Sequence, residues 1–274
     1  MIQWMGVINL TPDSFYEPSR VASNNVPAIL GRIGRMVDAG ASIIDLGAVS
    51  TRPGADPVPL EEEWRRLEPV LRALGRMRMP DHSPFRVSVD TTRSEIVRRA
   101  FDTVGPFIVN DISAGEDDLQ MLTAVAELGL SYVAMHKRGT PVNMDRQTDY
   151  PAGVVPELTL YFNAFARLAD SVGISDWILD PGLGFAKTNA QNWQILSHLE
   201  ALKQFGRPIL AGCADKRFTH SIPKRVRKWF DSSDSDAPRR ECRISDAGSA
   251  SGTDIANALA VSHGASILRV HDIP

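Results

Sequence analysis

The fold is decided by three consecutive segments: the short apolar run Ser42-Ile43-Ile44-Asp45-Leu46-Gly47, the stretch Leu60 to Met77, and the apolar run Arg86-Val87-Ser88-Val89-Asp90. The two short runs have the length and the β-branched content of buried strands, whereas the longer stretch has the apolar period of an amphipathic helix. Strands that alternate with helices in this way predict βαβ units in a parallel sheet.

The same pattern recurs along the whole chain. The short apolar runs predict eight strands, at residues 5–9, 42–47, 86–90, 107–111, 132–136, 177–180, 208–212 and 266–270. Helical patterns stand out between them at residues 26–39, 60–77, 94–103, 119–128 and 253–263. Eight consecutive βα units close into a (β/α)₈ TIM barrel, so we expect an α/β fold with one domain over residues 1–274.

Polar residues stand where almost every predicted strand ends. Asp and Asn are frequent helix caps and turn formers at such positions, so any single one has a purely structural explanation. A whole set at the carboxyl ends of barrel strands favours a polar pocket, because active sites of these barrels lie at that mouth. The set is Asn9, Asp45, Asp90, Asn110, His136, Asp180, Arg269 and His271.

The composition limits the possible partners and compartments. The 274 residues include 30 Lys and Arg against 33 Asp and Glu, a net charge of -3, which gives no basic face for nucleic acid. The two cysteines, Cys213 and Cys242, are too few for a disulfide framework, so we expect a reducing, cytoplasmic setting. The start of the chain lacks a signal-peptide pattern, and no apolar stretch is long enough to predict a membrane span.

Two features depart from a regular barrel pattern. Residues 217–250 combine a basic run with a Ser- and Asp-rich run, which predicts a polar loop inserted before the last helix. The sequence given ends at Pro274, directly after the eighth predicted strand. We therefore expect the barrel's terminal helix to be missing, through a shortened chain or an unusual closure.

Several short motifs at strand ends, in this order along the chain, resemble the dihydropteroate synthase family. They are Asn9-Leu10-Thr11-Pro12-Asp13-Ser14-Phe15, Ile44-Asp45-Leu46-Gly47, Ser50-Thr51-Arg52-Pro53-Gly54, Val87-Ser88-Val89-Asp90-Thr91, Asn110-Asp111-Ile112, Met135-His136, Leu179-Asp180-Pro181-Gly182-Leu183-Gly184-Phe185 and Arg269-Val270-His271-Asp272. The resemblance covers almost the whole chain. It implies an enzyme of folate biosynthesis that joins a pterin diphosphate to 4-aminobenzoate, its two small-molecule substrates.

The resemblance also implies which residues hold the pterin. A pterin is flat and presents adjacent N–H donors at one edge, which a single buried carboxylate accepts in a bidentate, charge-assisted pair. The matching carboxylate here is Asp180, with Asp90 and Asn110 completing the recognition of the ring. Lys216 matches the family lysine that reaches the pterin. A helix cap before Pro181 remains the alternative role for Asp180.

The diphosphate and the second substrate have their own matching residues. Arg269 and His271 match the residues that receive the charge of the leaving diphosphate, and we expect Arg269 to contact only that group. Asn9 matches a ligand of Mg²⁺, although an Asx turn explains it equally well from the sequence alone. Loops after the first two strands, residues 11–24 and 48–57, would close over the site. Their matching contact residues are Thr51, Arg52 and Pro53.

The segment after the seventh strand departs from the family pattern. Where the family shows Ser-Arg-Lys-Ser, this chain has Ala214-Asp215-Lys216-Arg217, so a hydroxyl that helps to bind the aminobenzoate carboxylate is replaced by Arg217. An arginine is long enough to pair with that carboxylate directly, and we expect it to do so. The alternative is that Arg217 faces solvent or pairs with Asp215.

Two other functions stay open at this point. A pterin-dependent methyltransferase would share the barrel and the ring recognition but has no diphosphate to stabilise, and the Arg269-Val270-His271 motif favours the synthase. A pterin-binding relative without catalytic activity is the second alternative, because the residues around Lys216 are altered. Members of the family commonly form homodimers, so a homodimer is possible here.

Overall fold

The structure is a computed structural model of the chain. It describes residues 2–11, 25–50, 57–77, 85–140, 143–214, 216–223, 226 and 251–274. The predicted contact residues Thr51, Arg52 and Pro53 lie outside these ranges, and so does most of the predicted loop over residues 217–250.

Eight parallel strands form one sheet that closes on itself, which confirms the predicted barrel. Strand β1 pairs with β2 on one side and with β8 on the other. From β2 the order runs through β3, β4 and β5 to β6, and from β8 it runs to β7. A parallel bridge between Leu179 and Ile209 closes the barrel between β6 and β7. The strands are β1 (Gln3–Asn9), β2 (Ala41–Gly47), β3 (Arg86–Asp90), β4 (Ile108–Asp111), β5 (Ser131–Met135), β6 (Trp177–Asp180), β7 (Leu210–Ala211) and β8 (Ile267–Val270).

Helices surround the barrel between successive strands. They are α1 (Val26–Asp38), α2 (Leu60–Met77), α3 (Ser94–Val104), α4 (Met121–Leu128), α5 (Val154–Val172), α6 (Asn189–Leu196) and α7 (Gly252–Ser262). Short 3₁₀ helices cover Met144–Arg146, Leu199–Phe205 and Arg217–His220. Among the described helices, none is long and apolar enough to cross a membrane.

The structure corrects several of the predicted boundaries. Strand β7 has only Leu210 and Ala211, where the sequence predicted 208–212. Pro208 has no N–H to donate to a neighbouring strand, which shortens the pairing. His136 follows β5 instead of ending it. Helices α5 and α6 were not singled out from the sequence, and the four residues after β8 form no helix.

Two groups of buried side chains stabilise the barrel. Inside it, one apolar layer fills the amino-terminal half, and between the strands and the helices lies the larger core. The inner layer consists of Met5, Ile43, Ile108, Val133, Ile178, Leu210 and Ile267. Because this layer of described residues fills the barrel from below, we expect a ligand to enter at the carboxyl ends of the strands.

Candidate active site

The twofold alternation of side chains along a strand explains how the polar site forms. A residue two positions after an inward-facing one faces inward again, one layer nearer the mouth. Four polar residues stand two positions after members of the inner apolar layer, so they project into the barrel above it: Asp45, Asn110, Asp180 and Arg269.

Arg269 is the centre of the polar site. Its Nε atom donates to Asp45 Oδ2 at 2.7 Å, and its second guanidinium nitrogen donates to Asp90 Oδ2 at 2.9 Å. The arginine therefore joins β8 to β2 and to β3. Asp45 is fully buried, whereas 26% of the Arg269 side chain is exposed.

Asp45 connects the same arginine to a predicted pterin residue. Its carboxylate accepts from Ser88 Oγ at 2.7 Å and from Asn110 Nδ2 at 3.0 Å as well as from Arg269. Four strands thus meet at one buried acid. Arg269 therefore also holds Asp90 in place, a role that the sequence did not predict, and its contact with the leaving group alone among the parts of the substrate stays a prediction.

The ionised form of Asp90 is unfavourable in the folded chain. Burial raises its pKa to about 7, and the attraction of Arg269 only partly offsets that effect. A ligand that donates N–H groups to Asp90 would favour the ionised form. The site therefore holds an acid whose ionisation a bound ligand can change.

Asp180 lies at the end of β6 and is buried. Its Oδ1 atom accepts the Gly182 N–H at 2.7 Å, which closes a local turn. The next described α-helix begins at Asn189 with Thr188 as its cap, so Asp180 does not cap it. Burial raises the pKa of Asp180, against the attraction of Lys216. A carboxylate buried at the mouth has a second oxygen that a ligand with paired N–H donors would satisfy.

Lys216 reaches the same part of the mouth from the segment after β7. Its Nζ atom donates to the Leu183 carbonyl oxygen and lies 4.9 Å from the centre of the Phe185 ring. Burial lowers the pKa of Lys216, and the negative charge of Asp180 opposes that shift. The loop after β6 therefore brings Asp180 and Phe185 to the predicted substrate lysine.

A second lysine, Lys187, lies beneath this loop. Its Nζ atom is 3.0 Å from the Gly182 carbonyl oxygen, 2.9 Å from the Phe185 carbonyl oxygen and 3.0 Å from His136 Nδ1. Burial lowers the pKa of Lys187 to about 7, while Asp180 opposes the shift. The acceptors on three sides suit the three N–H groups of the ammonium form.

Gly182 shows how closely the loop packs on β5. A Cβ atom there would lie 1.9 Å from the His136 carbonyl oxygen, and the backbone φ is +65°. Both the space and the left-handed conformation require glycine. Any side chain at this position would push the loop away from the backbone of His136.

The loop after β2, which carries Thr51, Arg52 and Pro53, is tied at both of its ends. Arg66 donates to the Ala48 carbonyl oxygen at 2.8 Å, and Arg93 donates to the Val58 carbonyl oxygen at 2.5 Å. Arg93 is itself paired with the buried Glu63 at 2.6 Å. The described ends of the loop are therefore fixed beside the mouth.

Three other predicted site residues lie at or after the ends of β1, β7 and β8. Asn9 ends β1 and is half-buried. His271 follows β8, where its carbonyl oxygen accepts from Arg32 of α1 at 3.0 Å. Arg217 is 75% exposed, and one of its guanidinium nitrogens donates to both carboxylate oxygens of Asp145, at 2.8 and 3.0 Å. Asp215, the partner weighed from the sequence, lies outside the described residues.

The buried His136 predicts an acid-sensitive fold. Burial lowers its pKa to about 2, with Lys187 adding to the shift, whereas an unfolded histidine takes up its proton near pH 6.5. Below that pH the unfolded chain binds more protons, so stability falls as the pH falls. Relative to His136→Gln, the wild type is expected to lose up to about 1.4 kcal/mol of unfolding free energy per pH unit below pH 6.5.

Urea denaturation of both proteins at pH 7.5, 6.5 and 5.5 measures this difference. His198→Gln, a replacement of an exposed histidine, is the matched control and is expected to follow the wild type. If His136→Gln shows the same pH slope as the wild type, the buried neutral imidazole is not the source of the acid sensitivity.

Comparison with known proteins places this geometry in a family. Residues 5–271 match the family model described as "Pterin binding enzyme". The chain is 37% identical to a dihydropteroate synthase from Synechocystis, over 98% of this chain and 84% of that protein. It is 38% identical to the folic acid synthesis protein fol1 of Pneumocystis carinii, over 98% of this chain but only 34% of that protein.

Two solved structures that superpose on this chain with high TM-scores are dihydropteroate synthases as well. The Yersinia pestis dihydropteroate synthase with a sulfonamide drug complex has a TM-score of 0.80 at 31% identity, covering 99% of this chain and 89% of that one. The Xanthomonas albilineans dihydropteroate synthase with 4-aminobenzoic acid has a TM-score of 0.76 at 32% identity, covering 99% and 88%.

The fold and the buried polar mouth thus define a pterin-binding barrel enzyme, and the chain belongs to that family. Within the family, two relatives that match along most of their own length, from Synechocystis and Mycobacterium leprae, are dihydropteroate synthases. The resemblance that the strand-end motifs suggested is therefore confirmed.

Sequence reasoning missed the roles of Lys187, His136 and Ser88. Asp45 and His136 stand at strand ends and in family motifs, but the sequence predicts a specific role for neither, although the alternation from Ile43 could have placed Asp45 inside the barrel. No comparable signal marks Lys187, since a lysine after a glycine-rich loop is ordinarily exposed. Its burial depends on carbonyl groups that only the folded loop brings together.

Proposed function

We propose that this chain is a dihydropteroate synthase. It joins 6-hydroxymethyl-7,8-dihydropterin diphosphate to 4-aminobenzoate and releases 7,8-dihydropteroate and diphosphate. The observation that carries the proposal is the buried Asp180 at the barrel mouth, beside the cluster in which Arg269 joins Asp45 and Asp90. The names of the relatives that match along the whole chain support the same activity.

In this proposal the pterin lies between β6 and the Arg269 cluster. The Asp180 carboxylate accepts two N–H donors of the ring, which fixes its orientation. Asn110, held by Asp45 at 3.0 Å, and Asp90, held by Arg269, supply further hydrogen-bonding groups on the opposite side. Lys216 leaves the Leu183 carbonyl oxygen to contact an acceptor of the ring.

The chemical step needs no nucleophilic side chain. The amine of 4-aminobenzoate forms a C–N bond to the pterin methylene carbon while the C–O bond to diphosphate breaks. The diphosphate leaves with the bonding electrons, and the amine loses one proton. Arg269 and His271 stabilise the charge that develops on the leaving group, so catalysis is positioning plus electrostatic stabilisation.

Asn9 is the proposed protein ligand of Mg²⁺. Among the described residues, no group of three or more His, Cys, Asp or Glu side chains could hold a metal. One amide oxygen still fits, because Mg²⁺ keeps several waters and binds through few protein ligands together with substrate phosphates. When bound, the ion would neutralise charge on the diphosphate.

Arg217 is the proposed partner of the aminobenzoate carboxylate, which would replace Asp145. Arg217→Ala is then expected to raise KM for 4-aminobenzoate about 2- to 5-fold, because an exposed ion pair contributes up to about 1 kcal/mol. KM for the pterin substrate should change little, the pattern of binding lost at one subsite. Steady-state kinetics with each substrate varied in turn measures both values.

Asp145→Asn is the matched control for this prediction. It removes the charged partner of Arg217 without removing the guanidinium, so KM for 4-aminobenzoate should stay the same or fall. If Arg217→Ala leaves that KM unchanged, or if Asp145→Asn raises it as much, Arg217 does not bind the carboxylate.

The assembly and compartment are also proposed. We infer a cytoplasmic enzyme from the two cysteines in a chain of 274 residues, of which the described Cys213 is buried and free. Homodimerisation stays a prediction from the family resemblance. Sedimentation velocity at micromolar concentration distinguishes a monomer of 30.0 kDa from a dimer.

Diphosphate release separates the proposed synthase from the two other candidate functions. The pterin diphosphate is incubated with the enzyme, with and without 4-aminobenzoate and with and without Mg²⁺. A synthase releases diphosphate only when 4-aminobenzoate is present and stops when the metal is chelated. A pterin-dependent methyltransferase or a relative without catalytic activity releases none under any of these conditions.

A further inference from the structure

Lys187 lies next to the proposed active site but contacts the backbone that supports the site. Its ammonium donates to the carbonyl oxygens of Gly182 and Phe185, which are the two sides of the loop after β6. The same atom meets His136 Nδ1 at 3.0 Å, on the segment after the neighbouring strand β5. One buried side chain therefore ties together both sides of this loop and the adjacent strand end.

A second lysine, Lys216, binds a different carbonyl group of the same loop. Lys216 donates to the Leu183 carbonyl oxygen, and its ammonium lies over the Phe185 ring. In the proposed reaction Lys216 turns to the pterin, so its contact with Leu183 is lost when substrate binds. The contacts of Lys187 use different carbonyl groups and are compatible with a bound pterin.

We propose that Lys187 is a positioning residue that keeps the loop after β6, and with it Asp180 and Phe185, in the binding geometry when Lys216 moves to the substrate. This inference rests on the proposed function for its substrate. It does not require Lys187 to touch that substrate. His136 takes part as the acceptor that fixes Lys187 against β5.

Lys187→Met keeps most of the side-chain volume and removes all N–H donors. The expected result is a roughly 10- to 100-fold weaker affinity for a pterin that lacks the diphosphate, measured by calorimetry, since hydrogen bonds from a charged group are lost at three acceptors. Amide hydrogen exchange in residues 181–187 should become faster in the same variant.

Lys137→Met is the matched control. Lys137 is as buried as Lys187, at 8% exposure, and its ammonium pairs with Asp117 at 2.8 Å. Its variant is expected to keep the pterin affinity within about threefold and the exchange of residues 181–187 unchanged. Equal losses in the two variants would overturn the proposal, because any buried lysine would then do the same.

Chemical rescue distinguishes the effect of the ammonium group of Lys187 from the effect of the volume of its side chain. Lys187→Ala removes the equivalent of propylamine, so added propylammonium is expected to restore pterin affinity by at least fivefold, whereas 1-propanol is not. This pair of measurements also decides the matter if Lys187→Met does not fold. Equal effects of the two additives, or wild-type affinity in Lys187→Met, would contradict a positioning role.

The two proposals fail in different ways. If the wild type forms no dihydropteroate but Lys187→Met still loses pterin affinity, the activity is wrong and the role of Lys187 stands. If the wild type is active and Lys187→Met turns over with unchanged KM and kcat, the role of Lys187 is wrong and the activity stands.

Discussion

Replacing Asp180 by Asn is expected to weaken pterin binding about 30- to 150-fold, a loss of about 2 to 3 kcal/mol, and to leave the barrel folded. An amide has one acceptor oxygen and no charge, so it cannot accept two parallel N–H donors as a carboxylate does. Calorimetry with a pterin that lacks the diphosphate measures the loss without any contribution from turnover.

Asp176→Asn is the matched control for this substitution. Asp176 directly precedes β6, at the opposite end of the barrel from Asp180, and it is exposed. Its variant should bind pterin as the wild type does. Unchanged affinity in Asp180→Asn, or an equal loss in Asp176→Asn, would remove Asp180 from the binding site.

Arg269→Met is expected to lower both stability and ligand binding. It removes the cation between Asp45 and Asp90 and leaves the fully buried Asp45 without its charged partner. The expected loss in unfolding free energy is about 3 kcal/mol, the low end for a broken buried ion pair, because the arginine is partly exposed. Affinity for the diphosphate substrate should fall more than affinity for the bare pterin, although both fall.

The pH dependence of the stability loss in Arg269→Met follows from the ionisation of Asp90. Its pKa, raised by burial to about 7 against the attraction of Arg269, rises further when the arginine is removed. Near pH 6 the carboxyl group of the variant can stay protonated, whereas at pH 8 ionisation is unfavourable in the folded chain. The loss of stability should therefore be larger at pH 8 than at pH 6.

Urea denaturation at both pH values tests this prediction. Arg86→Met is the control, since Arg86 lies at the start of β3, is exposed, and donates to Gln3 Oε1 at 3.2 Å. A loss in Arg269→Met that is the same at both pH values would show that Asp90 does not depend on the arginine.

The barrel could be predicted because each strand, and each described α-helix except α5 and α6, has a local pattern that stands out in the sequence. The runs around Asp45 and Asp90 have strand length, and the stretch Leu60 to Met77 has a helical period, so the order of elements follows from the sequence. The length of strand β7 was predicted as five residues instead of two, because the extent of its pairing depends on the neighbouring strands β6 and β8. A two-residue strand leaves too short a pattern to delimit.

The sequence predicts which residues line the site, but it does not predict which of them contact one another. Asp180 and Arg269 each stand at a strand end, and family motifs mark them. Which side chains meet across the barrel depends on the stagger of its strands, and the sequence does not show that stagger. The contact of Arg269 with Asp90 therefore appears only in the folded chain.

The most direct measurement is mass-spectrometric detection of the product. Purified protein is incubated with the pterin diphosphate, Mg²⁺ and 4-aminobenzoate labelled with ¹³C in its ring, with Asp180→Asn in parallel. We expect labelled 7,8-dihydropteroate to accumulate with the wild type, and far more slowly with the variant. Absence of labelled dihydropteroate from a wild-type sample that binds pterin would contradict the proposed synthase activity.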